Sequence, residues 1–231
     1  YATSVASNRV YDNSGSGILA YRYSQVLGNV VYSNSVGIRT QRYSSYRLFV
    51  GEISNNLVHA NANQGIYLDD GSNAELTNNT VYQPVSDAVR LESSSNVRLR
   101  NNILWVDAGY DLYVADDSQV GFDSDYNLLR TTGSGQVGYW QGQDRPSLAD
   151  WQNAAFTDAN SLAQDPAFVD IDGADDLLGY AGPGAGDGRD DDFHLQSQFG
   201  SFHGGALAPA LDLGTGLPVL LPGAWTTDAL Q

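Results

Sequence analysis

The chain has 231 residues, with 11 arginines, no lysine and 27 acidic groups, for a formal charge of −16. That balance supplies no basic face for nucleic acid or an anionic membrane surface. The absence of cysteine removes disulfides, thiolate metal sites and a cysteine nucleophile, and no apolar run is long enough to span a bilayer, so membrane insertion is not expected. Fourteen Tyr and 25 Gly, with abundant Asn and Ser, suit a turn-rich β protein, extracellular or on a cell surface. Methionine is absent, including at position 1, so the chain reads as a piece of a longer protein.

From the N-terminus, one unit recurs. Asn8, Asn29, Asn56, Asn79, Asn102 and Asn127 stand 21, 27, 23, 23 and 25 residues apart, and self-similarity at such a period signals a solenoid. Three residues before the first five stand Val5, Val26, Ile53, Leu76 and Leu99; two after all six stand Val10, Val31, Val58, Val81, Leu104 and Leu129. Farther on come pairs two apart, Ile18 with Ala20, Ile38 with Thr40, Ile66 with Leu68, Val89 with Leu91, and Leu112 with Val114. Alternation with period two means strands with one face inward, and three short strands per repeat fit a coil with three faces. The 27-residue coil holds an insertion, Arg39 to Gly51, in which Arg39, Arg42 and Arg47 accompany Tyr43 and Tyr46. It reads as a solvated loop or as a lip that grips an acidic or hydroxyl-rich ligand.

The order x-Ile-x-Asn-Asn-x-Val followed by Gly-Ile-x-Leu resembles the repeat of the right-handed parallel β-helix proteins, the pectate-lyase-like superfamily, over roughly residues 3 to 130. The resemblance implies an all-β solenoid whose six asparagines stack as a ladder inside one turn. Asn tolerates the left-handed backbone of a tight turn, and its amide can bond the amides above and below. The expected organisation is β-helix coils over 1–137 and a C-terminal extension or cap over 138–231. That extension holds a short helix starting at Pro146 or Ser147, with Leu148 and Trp151 on one face. Its segments SLAQDPAFVDIDG and DDDFHLQSQFG resemble the tail of secreted bacterial β-helix proteins, and the chain stops at Ala229-Leu230-Gln231, where a further stretch begins in those relatives.

Two outward stripes carry the candidate chemistry. Between the inward pairs lie Leu19, Arg39, Tyr67, Arg90 and Tyr113, with Asp69, Asp70, Glu92, Asp116 and Asp117 just beyond. Arg39, Tyr67, Arg90 and Tyr113 are the expected ligand-binding residues, on the ground that rings beside forked cations and carboxylates suit a sugar chain; mutual stacking and charge pairing is the competing reading. Three residues past each of the first five ladder asparagines stand Tyr11, Tyr32, His59, Tyr82 and Trp105, read first as coil-stabilising stacking and second as a flat glycan platform. In the acidic Gly-rich loop, Asp170, Asp172, Asp175 and Asp176 resemble the opening of a calcium loop, although the EF-hand spacing is missing; calcium is the expected cation, with a solvated loop as the alternative.

Catalytic signatures are sparse. Lyases of the resembled superfamily use Lys or Arg as base with calcium; there is no Lys, and Arg90 is flanked by carboxylates that hold it protonated. The pectin hydrolases carry an Asp-Asp pair and Gly-His-Gly; Asp69-Asp70 is present, but Phe202-His203-Gly204-Gly205 lies far off. The sequence thus predicts a module that binds polysaccharide or cell-surface glycan, or serves as a surface scaffold, in a larger secreted protein. The alternative is a glycoside hydrolase or lyase working through Asp69, Asp70 and Glu92.

Overall fold

The computed structural model describes residues 3–44 and 47–196. Six coils of three strands each stack into a solenoid, and the strands fall into three parallel sheets. The first sheet stacks Ser4–Ala6, Gln25–Leu27, Glu52–Ser54, Glu75–Thr77, Arg98–Arg100 and Asp123–Asp125. The second stacks Arg9–Tyr11, Val30–Tyr32, Leu57–His59, Thr80–Gln83, Ile103–Val106 and Leu128–Thr131. The third stacks Ser16–Tyr21, Val36–Gln41, Ile66–Asp69, Val89–Glu92, Tyr110–Val114 and Gln136–Trp140, and ends in one antiparallel strand, Gln143–Arg145.

Strict register explains why the repeat is legible. Val5, Val26, Ile53, Leu76 and Leu99 pair along the first sheet. Val10, Val31, Val58, Val81, Leu104 and Leu129 do so along the second. Together with the inward residues of the third sheet they form one continuous core. Each such side chain contributes about 1.5 to 3 kcal/mol before ordering entropy is set against it.

The asparagine ladder exists and has a direction. From Asn8 to Asn102, each side-chain amide and each backbone N–H donates to the Oδ1 of the next asparagine at 2.9 to 3.1 Å. The left-handed backbone falls one residue earlier than expected, at Ser7, Gly28, Asn55, Asn78, Asn101 and Tyr126. In each Asn-Asn pair the first residue therefore takes the turn and the second forms the ladder. A second ladder, which the sequence reading missed, links Asn13, Asn34, Asn61 and Gln83 one corner later. Its signal was an Asn five residues after the ladder Asn in each of the first three coils.

A directed chain of donors needs an acceptor at its end. Asn127 donates its amide to Asp158 at 3.0 Å and its backbone N–H to Ser161 at 2.8 Å. Asp158 also accepts from Ser124, Ser161 and the Trp151 indole. Trp151 belongs to the helix Leu148–Ala155, which Ser147 and Asp150 close with a capping box. Its ring covers the last coil so closely that a Cβ at Gly138 would sit 2.1 Å from it.

Residues 161–196 then turn back and run along the outside of the second sheet as a strap. Leu162 bridges to Leu128 at the last coil, and Tyr180 packs on Tyr11 of the first coil, with ring centroids 5.3 Å apart. Two short antiparallel pairs, Phe168–Asp170 with Asp192–Leu195 and Tyr180–Gly182 with Gly186–Asp187, stiffen it.

Candidate functional site

The outer face of the third sheet brings together all four predicted ligand-binding residues. Leu19, Arg39, Tyr67, Arg90, Tyr113 and Tyr139 are consecutive register partners, so they stand ~4.8 Å apart along the axis. The Arg39 guanidinium lies 5.1 Å from the Tyr67 ring centre and that of Arg90 3.7 Å from Tyr113. Tyr113 stacks on Tyr139 at 4.5 Å with planes 5° apart, and Tyr110 meets both edge-on. Tyr139 escaped the sequence reading because the repeat fades after Asn127, although Gly-Tyr-Trp keeps the outward position.

Arg39, Arg42 and Arg90 each have a carboxylate partner on this face. Arg39 donates to Asp69 at 2.8 Å. Arg42, from the inserted loop, grips Asp70 with two nitrogens, Nε at 2.6 Å. Arg90 reaches Asp87 at 2.9 Å and Glu92 at 2.8 Å, and the Tyr67 hydroxyl donates to the other Glu92 oxygen at 2.5 Å. Burial works against the Arg90 charge, but the hydrogen bonds to Asp87 and Glu92 outweigh it and raise its pKa, so this arginine stays a cation and is no base. For Glu92 too, burial is outweighed: the bonds from Tyr67 and Arg90 lower its pKa. Burial, and then its bond to Glu92, raise the Tyr67 phenol.

The three catalytic candidates thus share one face, and each is held by a partner: Asp69 by Arg39, Asp70 by Arg42, Glu92 by Arg90 and Tyr67. Farther along, Asp117 accepts from the Ser93 backbone and Asp116 from Gln119. The inserted loop folds onto the next coil's carboxylates through Arg39 and Arg42, so these two do not stand as a free lip; Tyr46 of that loop lies outside the described residues, as does the segment 202–205.

The second stripe is not a platform open to solvent. Tyr11 and Tyr32 stack at 5.1 Å, Tyr32 and His59 at 4.9 Å, and Tyr82 and Trp105 at 4.5 Å. The strap covers them: Phe193 sits 4.8 Å from the His59 ring, Phe168 packs on Trp105, and the Tyr32 hydroxyl donates to the Asp187 carbonyl. His59 is fully buried, with Asp191 of the strap 3.4 Å from its Nδ1 and neither ring nitrogen hydrogen-bonded. Burial, and then the Arg9 charge, depress its pKa to about 3, whereas burial raises Asp191 to about 6. Asp111, inside the third sheet, is likewise buried with neither oxygen bonded, and burial pushes its pKa well up.

These features define a class: a parallel β-helix module with one face sealed by its own chain and, among the described residues, one charge-paired aromatic face left open. Residues 2–121, 120 of 231, match the family described as periplasmic copper-binding protein (NosD), a right-handed parallel β-helix family, and the chain belongs to it. The chain therefore agrees with a β-helix scaffold working outside the cytoplasm, at that coarse level. No curated protein and no solved structure matches the chain.

The calcium expectation is corrected here. The matched family is described by copper, and among the described residues no three His, Cys, Asp or Glu converge where a metal ion could be held. Asp170, Asp172, Asp175 and Asp176 do not form such a group. Asp175 accepts from Leu177 N–H, Asp172 gives its carbonyl to the same group, and Asp176 takes the left-handed position that ends a short turn. Copper does not fit the described residues either. There is no Cys or Met to serve a soft ion, His59 is sealed under the strap, His194 is engaged by Asp192 at 2.5 Å, and His203 lies outside the described residues.

Proposed function

We propose that this chain is a non-catalytic β-helix module, periplasmic or extracellular, whose third-sheet face holds a hydroxyl-rich glycan and whose coils act as the scaffold for that face. The observation that supports this reading most is the unbroken rank Arg39, Tyr67, Arg90, Tyr113 and Tyr139. It is straight, outward and in register over five coils, so one extended chain can lie along it. Rings and guanidinium groups already stack on one another, so a glycan would meet their edges, with phenol hydroxyls and carboxylate oxygens as hydrogen-bond partners. The pairing of Asp69, Asp70 and Glu92 supports binding over hydrolysis, which needs one carboxyl kept protonated and a second kept free. Incubation with a panel of neutral, amino-bearing and acidic polysaccharides, read by glycan size and by co-migration with the protein, tests it. Intact glycan moving with the protein is the expected result. Shortened chains would establish an enzyme, and no change of either kind would leave a scaffold without a glycan ligand.

A further inference from the structure

The third-sheet face has a sign as well as a shape. Three cations, Arg39, Arg42 and Arg90, stand among five carboxylates, Asp69, Asp70, Asp87, Glu92 and Asp144. All three cations are already bonded to carboxylates. Among the described residues Asp144, which faces Tyr139 across the last strand pair, is reached only by neutral donors, the Tyr110 hydroxyl at 2.6 Å and the Gln136 amide at 3.4 Å. The face is therefore short of free donors and rich in acceptors, and the chain around it carries −16. A polyuronate would bring more carboxylates to a rank whose own cations, Arg39, Arg42 and Arg90, are all committed, with the exposed Arg47 of the inserted loop as the exception, at a cost in desolvation and repulsion. A chain with hydroxyl and ammonium groups would supply the missing donors and be drawn in by the field.

We infer that the glycan of this face is an uncharged or amino-bearing polysaccharide, preferred in the order amino-bearing, neutral, polyuronate. This rests on the glycan reading above and deepens it. It also departs from the acidic-ligand option raised by the arginines of the inserted loop, because two of those arginines are neutralised within the fold.

Calorimetric titration of the intact chain with a partly deacetylated chitosan, a neutral glucan and a polygalacturonate, each at low and physiological salt, tests the order. An acidic protein attracts polycations anywhere on its surface, so two isoelectric variants are compared. Asp69→Asn with Glu92→Gln removes two charges from the face. Glu52→Gln with Glu75→Gln removes two from the first sheet, where these residues are register partners. The face variant is expected to weaken chitosan binding roughly two- to thirty-fold, the range for two partly exposed charge contacts, and the first-sheet variant to leave it unchanged. Thermal melting of both variants checks that the coils persist. Equal weakening by both variants would overturn the assignment to this face, and so would polygalacturonate binding as tightly as chitosan. Failure of all three glycans to bind would overturn the glycan reading itself.

Discussion

The outer faces of the second and third sheets are built by the same repeat and meet opposite fates. Both present one side chain per coil in straight rows ~4.8 Å apart. On the third sheet the row alternates rings with arginines, each charge has a partner beside it, and the face stays open. On the second sheet the row is aromatic over its first five coils and ends at Arg130, and such a stripe is buried by whatever apolar partner is available. Here Phe168 and Phe193 of the strap supply it. The sealed face contains a buried His59 and Asp191 without full hydrogen bonding, and the third sheet contains a buried Asp111 with neither oxygen bonded. Unpartnered buried groups therefore occur in both sheets and do not by themselves distinguish the two faces.

The comparison can be broken at the scaffold first. Asn79→Leu removes the acceptor of two Asn56 donors and the donor to Asn102 and the Ile53 carbonyl. With about 1 to 3 kcal/mol per buried group left unsatisfied, the loss should exceed roughly 3 kcal/mol and spread to both neighbouring coils, as read by denaturant unfolding. Phe193→Ala should be more local. About 3 kcal/mol of strap docking is expected to go, with amide exchange rising over 161–196 while the coil strands stay protected.

The pH response sharpens the contrast further. His59 has a depressed pKa in the fold, so its contribution is complete above about 6.5 and lost as pH falls toward 3. Asp191 has a raised pKa, so its contribution is complete below about 3.8 and lost as pH rises through 6. Between those limits the two slopes oppose. Strap stability in the parent chain should be nearly flat from about pH 4 to 6. Asp191→Asn should make it rise with pH, and His59→Phe should make it fall, each by at most about 1.4 kcal/mol per pH unit. Arg9 near His59, and Asp172, Asp175 and Asp190 near Asp191, are common to all three proteins. Parallel slopes in the two variants would contradict the assignment. The smallest effect belongs to the open face: Tyr113→Ala should cost about 1 kcal/mol or less in stability, yet weaken glycan binding.

The sequence showed most of the scaffold, because each coil must place the same residue types at the same inward positions. Val26, Ile53 and Leu76 could be aligned from spacing alone, and Trp151 on its helix face from the pattern after Ser147. The exchange of roles within Asn55-Asn56 was not visible, since both residues tolerate either conformation. The strap was invisible for a deeper reason. Nothing local in FVD or DFHL says which distant surface Phe168 and Phe193 will cover, and the acidic residues between them resembled a cation loop because loop-internal acceptors and metal ligands use the same atoms. On the third face, Arg39, Tyr67, Arg90 and Tyr113 were legible from alternation, whereas their pairing with Asp69, Asp87 and Glu92 depends on inter-coil register.

The division between an open face proposed to bind glycan and a sealed aromatic face is tested most directly by amide exchange, with and without a saturating amino-bearing glycan. Protection confined to 66–69, 89–92, 110–114 and 136–140, with the strap unchanged, is the predicted outcome. Ligand-dependent change over 57–59, 80–83 and 161–196 instead would place the ligand on the second sheet and contradict the account.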